Sequence, residues 1–531
     1  MLHIDPVACV DCGACVSACP VDAILPESRL SAAQLPFIAI NAAFYPDRPE
    51  GKLPVAAKLA PVLPAPRIRD GAAALTVAII GSGPAGMYAA DELLTQRGVR
   101  VNMFDKLPVP YGLVRAGVAP DHQKTKSITR LFDKISRQRG FEYFLNVEVG
   151  QHISHSELLD YHHGLLYAVG APGDRRLEID GMGMPGTGSA TDFVAWINGQ
   201  PGSAGPIAGT IEDPVVIIGN GNVALDVARI LTADPDGLAH TDICDAALKV
   251  LQHRAVREVV VAARRDPRDS AFTLPELVGL TSTANVVLAA ADHELVRRDL
   301  ETTDDPVTHA KLTILAGLPD AGAPATGSRI RLAYRLTPQR IIGPGHPRRV
   351  EFIRTATTET VGLDAGLVLT SIGYRGAPVA GLPFDEIAAV VPNRDGRVID
   401  PRTAEPVRGA YVAGWIKRGP TGFIGTNKSC AMQTVATLVE DFNKGLLDDP
   451  RQPPSALETL IRARQPDLVD AAGWRAIDVA EISRGEAAGR PRVKFTSVSD
   501  MLSAARTRPG ARLGEVRARL TELVSGRNRR R

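Results

Sequence analysis

The chain has 531 residues, of which 44% are hydrophobic and 23% charged, and its 61 Lys and Arg against 59 Asp and Glu leave a formal net charge of +2. Roughly two to four domains are expected at that length, and the ordinary composition excludes a disordered or fibrous chain. Near-neutral charge gives no reason to expect a nucleic-acid partner. The longest apolar runs, such as LTVAII at 75 to 80, are of strand length, so no membrane partner and a cytoplasmic location are expected.

Four of the six cysteines, Cys9, Cys12, Cys15 and Cys19, fall in CVDCGACVSACP, whereas Cys244 and Cys430 stand alone. That is metal-site usage and not a secreted disulfide framework. The spacing C-x2-C-x2-C-x3-C-P suits a 4Fe-4S cluster, because three close thiolates wrap three irons of a cubane while the fourth points elsewhere. Zinc generally takes well-separated CxxC knuckles. Residues 46–75 carry six prolines, too many for helix or central strand, and read as a Pro-rich linker. From there to about residue 440, β-branched runs ending in glycines alternate with helical patterns, which predicts α/β architecture with parallel sheets. From about 445 the chain turns polar and helical, with LETLIRARQ and EVRARLTELV as amphipathic stretches and RNRRR as a solvated end.

Two glycine-rich turns stand out. In TVAIIGSGPAGMYAADELL a strand enters Gly81, Gly83 and Gly86, a helix follows, and Asp105 closes the next strand. Together these make a dinucleotide fingerprint: the glycines allow a tight turn and close approach of pyrophosphate to the helix N-terminus, and Asp105 would accept from ribose hydroxyls. In PVVIIGNGNVALDVARIL the turn runs through Gly219, Asn220, Gly221, Asn222 and Val223, and the next strand ends at Arg264 and Arg265 instead of an acid. Guanidinium groups there can bind a 2′-phosphate bidentately, so NADPH is expected at the second turn. FAD, which also has an ADP half, is left for the first.

Several stretches together closely resemble the adrenodoxin-reductase type of ferredoxin–NADP reductase: KLPVPYGLVRAGVAPDHQKTK (106–126), GNGNVALDVARIL, RRDPRDSAFTLPEL (264–277), TSIGYRG (370–376) and AGWIKRGPTGFIGTNK (413–428). The resemblance covers about residues 76 to 500. It implies two Rossmann-like dinucleotide-binding domains arranged as in glutathione reductase. An FAD domain made of residues 76–174 and 376–444 would hold an inserted NADPH domain, 175–375, with a helical C-terminal region at 445–531. It also implies FAD contacts at Ala85, Asp105, Leu113, Val149, Trp415, Gly422, Phe423 and Ile424. The implied NADP contacts are Arg175, Asn220 to Val223, Arg264, Arg265, Glu276 and Gly422. Asp105 stands where the family generally has Glu, one methylene longer.

His122 and Asp121 match a family position near the flavin, where a histidine can relay protons or order water. With Trp415 they are the candidates for the flavin environment. Lys126, Arg130 and Lys134 recur every four residues and are extended by Arg137, which predicts one basic helical stripe facing either solvent or an acidic ferredoxin. The N-terminal segment, together with INAAFY at 40–45, resembles the second half of a bacterial-type ferredoxin, so residues 1–45 read as a partial 4Fe-4S α+β module. In that fold the fourth cysteine of each run serves the other cluster, and the complementary run is not in this sequence. An upstream half outside the sequence in hand is the favoured explanation; Cys19 folding back, or a ligand from another chain, are the alternatives.

The expected function is a fused ferredoxin and ferredoxin–NADP reductase of EC 1.18.1 type, with ferredoxin or another iron–sulfur protein as electron partner. The alternatives are an NADPH-oxidising electron-supply subunit related to the glutamate synthase small subunit, and a low-turnover redox carrier or sensor. Disulfide reductase activity is disfavoured, because no CxxC follows Gly81.

Overall fold

The computed structural model describes residues 4, 23–25, 30–31, 34–44, 66–69, 74–203, 211–253, 256–322, 327–355 and 357–507. The cysteine run, most of the Pro-rich stretch and EVRARLTELV lie outside the described residues.

The first sheet has seven strands in the order Asn393–Arg394, Arg397–Ile399, Pro406–Val412, Gly164–Tyr167, Thr76–Ile80, Arg100–Asp105 and Phe141–Leu145. From Pro406–Val412 to Phe141–Leu145 every pairing is parallel. All five residues of Thr76–Ile80 are buried, which is why this strand reads as an unbroken apolar run: a parallel sheet is covered on both faces. Helices Pro84–Leu94 and Thr426–Asn443 pack together over one face, where Met87, Leu93, Val435 and Leu438 enter the core.

The second sheet has six parallel strands in the order Thr187–Ser189, Leu367–Thr370, Val215–Ile218, Glu258–Ala262, Arg329–Ala333 and Val286–Leu288. Its sequence lies wholly between the two parts of the first. A short antiparallel ribbon, Gly173–Asp174 against Tyr374–Arg375, carries the chain out and back. Beside the second sheet sits a feature absent from the parallel pattern expected of the sequence, a three-stranded antiparallel sheet of Leu336–Ile342, Arg349–Arg354 and Thr360–Asp364. The physical reason is the short Gly343-to-Arg348 connection. A parallel return needs a dozen or so residues, and this turn is tight enough that a Cβ on Gly343 would lie 1.8 Å from the His346 carbonyl oxygen.

Helices Pro454–Arg464, Ala471–Ala487 and Val498–Arg506 follow. They are not peripheral: Trp474, Ile477 and Met501 join the core of the first sheet, and Glu481 and Lys494 are buried. No helix among the described residues is long and apolar enough to cross a membrane.

Asp441, buried on Thr426–Asn443, fixes that helix to the sheet edge. It accepts from Arg397 Nε at 2.7 Å and Nη2 at 2.9 Å, and from the Tyr411 hydroxyl at 2.7 Å. Asp441→Ala removes both close hydrogen bonds to a half-buried guanidinium, leaving it only Glu440 at 3.9 Å, and should lower stability by about 2 kcal/mol, read as an earlier urea midpoint with an unchanged slope. An unchanged midpoint would show that this pairing does not hold the edge.

Candidate active site

The two glycine turns repeat one construction. Gly81 donates its N–H to the Phe104 carbonyl at 2.8 Å, and Gly219 does the same to Ala262 at 2.8 Å. Both have positive φ, +104° and +114°, and a Cβ would lie 2.5 Å from the Ala168 oxygen in the first and 2.2 Å from the Ser371 oxygen in the second. Only glycine fits either place. The middle glycines differ in kind: a Cβ on Gly83 or Gly221 would meet nothing within 4 Å. Each is the N-cap of its helix, Pro84–Leu94 or Asn222–Thr232, with no side chain capping the first N–H groups. An open cradle at a helix N-terminus with free donors suits a pyrophosphate. Gly86 closes the first turn, its would-be Cβ 2.0 Å from the Gly81 oxygen.

Asp105 has a larger task than the sequence suggests. Its Oδ2 accepts from the Ser82 N–H at 2.9 Å and the Ser82 hydroxyl at 2.5 Å, while Oδ1 accepts from the Leu107 N–H at 3.0 Å. A carboxylate offers about four acceptor positions, so holding the turn occupies most of them and leaves about one for a ribose hydroxyl. Burial pushes its carboxyl up from the ordinary range, against these hydrogen bonds.

Around the first turn the expected flavin contacts converge from distant segments. Gly112, preceding Leu113, lies so close that its would-be Cβ is 3.1 Å from Gly83 Cα, and Gly414, preceding Trp415, places its own 2.7 Å from Ala85 Cβ. Asn427 joins the same corner by donating to the Phe423 carbonyl at 3.3 Å. Gly422 takes φ +81°, and Ile424 is half-buried against the core. Leu113 and Phe423 expose apolar surface, Phe423 to 62%. The Trp415 ring packs on Tyr374 at 5.1 Å between centroids, yet its Nε1 is buried with no hydrogen-bond partner. Exposed apolar side chains, an orphaned indole N–H and an open pyrophosphate cradle fit a bound FAD. Val149 pairs with Ile153 and packs against the core cluster that contains Ile80, the residue before Gly81.

At the second turn, Asn222 Oδ1 accepts from the Thr273 N–H at 2.7 Å and Asn220 Oδ1 from the Ala271 N–H at 3.4 Å. These side chains tie the turn to the segment that starts helix Leu274–Thr283, which carries Glu276. Val223 is half-buried at the N-terminus of helix Asn222–Thr232. Arg264 and Arg265 follow strand Glu258–Ala262 and are exposed, with no side-chain partner among the described residues, free to take an anion. Arg175 is also exposed, its N–H donating to the Gly373 carbonyl at 2.9 Å beside the ribbon.

Between the turns, Asp121 accepts from Arg229 Nε at 2.6 Å and Nη2 at 3.0 Å, joining the first unit to helix Asn222–Thr232 of the second. Burial opposes charge on Asp121, but the Arg229 guanidinium holds its carboxyl below the ordinary range. Asp121 therefore ties the two units together. His122, by contrast, meets ionisable groups of the second unit: His122, Asp226 and Glu276 offer polar atoms within 4.8 Å of one another. Burial, then the Asp226 charge, push the Glu276 carboxyl up. Asp121, His122, Arg229 and Glu276 help line a cavity of about 940 Å³ at the C-terminal end of helix Asn222–Thr232. Sequence reasoning missed Asp226 and Arg229, although both follow Asn222 at helical spacing on one face.

The basic stripe needs correction. Lys126 is buried, with Nζ 2.7 and 2.9 Å from the Asp242 carboxylate oxygens and 2.8 Å from Asn198 Oδ1. The four-residue spacing misleads because two helices, Gln123–Lys126 and Thr129–Ser136, replace the single one assumed. Arg130, Lys134 and Arg137 are exposed.

The glycines can be separated by experiment. Gly83→Ala should leave the apoprotein's melting temperature unchanged and weaken flavin retention at least about tenfold. Gly86→Ala, forced against backbone, should destabilise the apoprotein itself by about 3 kcal/mol. Calorimetry of apoprotein and flavin titration distinguish the two, and equal loss of stability in both would contradict the open-cradle reading.

Comparison with known proteins agrees with this geometry. Residues 75–266 match the pyridine nucleotide-disulphide oxidoreductase family, and residues 2–25 match the 4Fe-4S binding domain. A Mycobacterium tuberculosis protein named "Probable ferredoxin/ferredoxin--NADP reductase" is 63% identical over 98% of this chain and 92% of its own length. Human mitochondrial NADPH:adrenodoxin oxidoreductase is 36% identical over 80% of this chain and 91% of its own. The solved structure of M. tuberculosis FprA in complex with NADPH superposes with a TM-score of 0.76 at 39% identity, covering 82% of this chain and all of that one. The chain thus belongs to the ferredoxin–NADP reductases of the adrenodoxin-reductase type, in the form fused to a ferredoxin module.

Proposed function

We propose that the protein moves electrons between NADPH and an iron–sulfur ferredoxin through FAD. The observation that carries this reading is the pair of matched glycine turns with unlike readers, Asp105 at one and Arg264 with Arg265 at the other, joined across the seam by Asp121 and Arg229. In this reading residues 76–174 and 376–444 hold FAD, 175–375 hold NADPH, and 1–45 carry a 4Fe-4S cluster on Cys9, Cys12, Cys15 and Cys19. When bound, FAD supplies the means to accept a hydride from NADPH and pass electrons singly to iron–sulfur centres.

The chain's own part is binding and orientation. Gly83 and Gly221 admit the two pyrophosphates, Gly422 and Trp415 line the flavin ring, and Arg264 and Arg265 select the 2′-phosphate. His122 from the first unit and Asp226 with Glu276 from the second bring ionisable groups together at the seam. The exposed Arg130, Lys134 and Arg137 give an acidic ferredoxin a surface that speeds encounter.

Replacing both Arg264 and Arg265 with Ala should cost about 100-fold in kcat/KM for NADPH and leave NADH nearly unchanged, as expected for losing roughly 3 kcal/mol of charge-assisted hydrogen bonds. Equal loss for both nucleotides would refute the 2′-phosphate assignment. Charge reversal at Arg130, Lys134 and Arg137 should slow reduction of an acidic ferredoxin about tenfold at low salt, the difference shrinking as salt rises. A salt-independent rate equal to the parent's would remove this docking surface.

A further inference from the structure

A buried charge cluster joins three separate parts of the chain. Asp242, 3% exposed, lies in the second unit just before helix Asp245–His253. One of its oxygens is 2.7 Å from Lys126 Nζ, in the first unit, and the other is 2.8 Å from Lys494 Nζ, in the C-terminal region. Lys494 also lies 3.2 Å from the Arg115 carbonyl and 3.1 Å from Asn198 Oδ1, so one ammonium group touches both units at once. Burial opposes charge on Asp242, yet Lys494 and Lys126 hold its carboxyl well below the usual range.

Two further anchors flank this cluster. Glu481, fully buried, accepts both terminal nitrogens of Arg115 at 2.8 and 2.5 Å and also the Phe495 N–H at 2.9 Å. Arg490 donates to the Thr241 carbonyl at 2.9 Å and to Asp245 at 2.5 Å. The segment 490–495 therefore lies in the seam, gripping the 241–245 loop on one side and Arg115 on the other. Arg115 belongs to the short helix Leu113–Ala116, whose N-cap Gly112 abuts Gly83. Lys126 stands one helical turn beyond His122.

We propose that the C-terminal region is a strap that sets the pose of the NADPH-binding unit against the flavin-binding unit, with Lys494 as a positioning residue for hydride transfer. Units within one chain generally move relative to each other unless their interface forbids it. Here, separation must break a shared set of contacts at once: Asp242 with Lys126 and Lys494, and Lys494 with the Arg115 carbonyl and Asn198. Hydride transfer depends steeply on ring separation, so a seam loosened by an ångström is felt at the reacting atoms.

The hydride-transfer role rests on the NADPH-to-FAD reading above, and the test separates the two. Flavin-loaded full-length protein and its Lys494→Met variant are mixed with saturating NADPH in a stopped-flow instrument. If the parent's flavin is not reduced, the NADPH reading fails. If the parent is reduced, Lys494→Met should be slower by about tenfold or more, with flavin content and NADP+ affinity within about twofold of the parent. A variant that melts earlier but is reduced at the parent's rate overturns the strap. Hydrogen exchange on the parent alone gives a second readout that needs neither turnover nor a folded variant. Amides of 241–245 and 490–495 should be equally protected with and without NADP+, whereas fast exchange in the free protein that slows on NADP+ binding overturns the proposal.

Discussion

The arrangement of this molecule depends on keeping two helix N-termini, each primed for a pyrophosphate, at a fixed distance and orientation. The interaction that secures this is the Asp242 carboxylate shared between Lys126 and Lys494. A carboxylate between two ammonium groups in a dry seam has one good geometry and several costly ones. The Asp121–Arg229 pair performs the same task nearer the site, so the units are tied at two points along the seam. With those ties in place, His122 from the first unit meets Asp226 and Glu276 from the second.

Each turn is built by backbone demands that side chains then support. Positive φ at Gly81 and Gly219 brings the chain under a neighbouring carbonyl, and the open middle glycine leaves the helix end exposed to a ligand. The two units also diverge at the end of the next strand. Asp105 at the first supports its own turn through Ser82, while the paired arginines at the second stay unengaged. We propose that this contrast of a satisfied acid and free cations gives two copies of one architecture different nucleotides.

Much of this was legible in the sequence because glycine spacing and strand-end charge report local geometry directly. The turns and the arginines at 264–265 are local signals, whereas the insertion of one unit within another was implied by the family resemblance. What escaped was set by contacts between residues remote in sequence. Lys126 looked like a surface cation because its spacing implied one continuous helix, and nothing marked the break at Ser127. Lys494 and Glu481 looked like members of a polar tail, since charged residues are rarely buried, and only the partners supplied by Asp242 and Arg115 make their burial tolerable. The antiparallel sheet at 336–364 escaped because its strands, LTPQRII, RVEFIR and TVGLD, mix polar with apolar residues and so lack the apolar runs that mark the parallel strands beside them. The cysteine run lies outside the described residues, so its cluster rests on spacing and on the match of residues 2–25 to the 4Fe-4S binding domain.

The most direct measurement is an anaerobic NADPH titration of the native protein, following flavin absorbance and the electron paramagnetic resonance signal of the cluster in the same samples. Electron flow from NADPH through FAD to iron–sulfur predicts that the flavin bleaches as NADPH is added and that a reduced-cluster signal appears in step with it. A flavin that stays oxidised in excess NADPH would contradict the account.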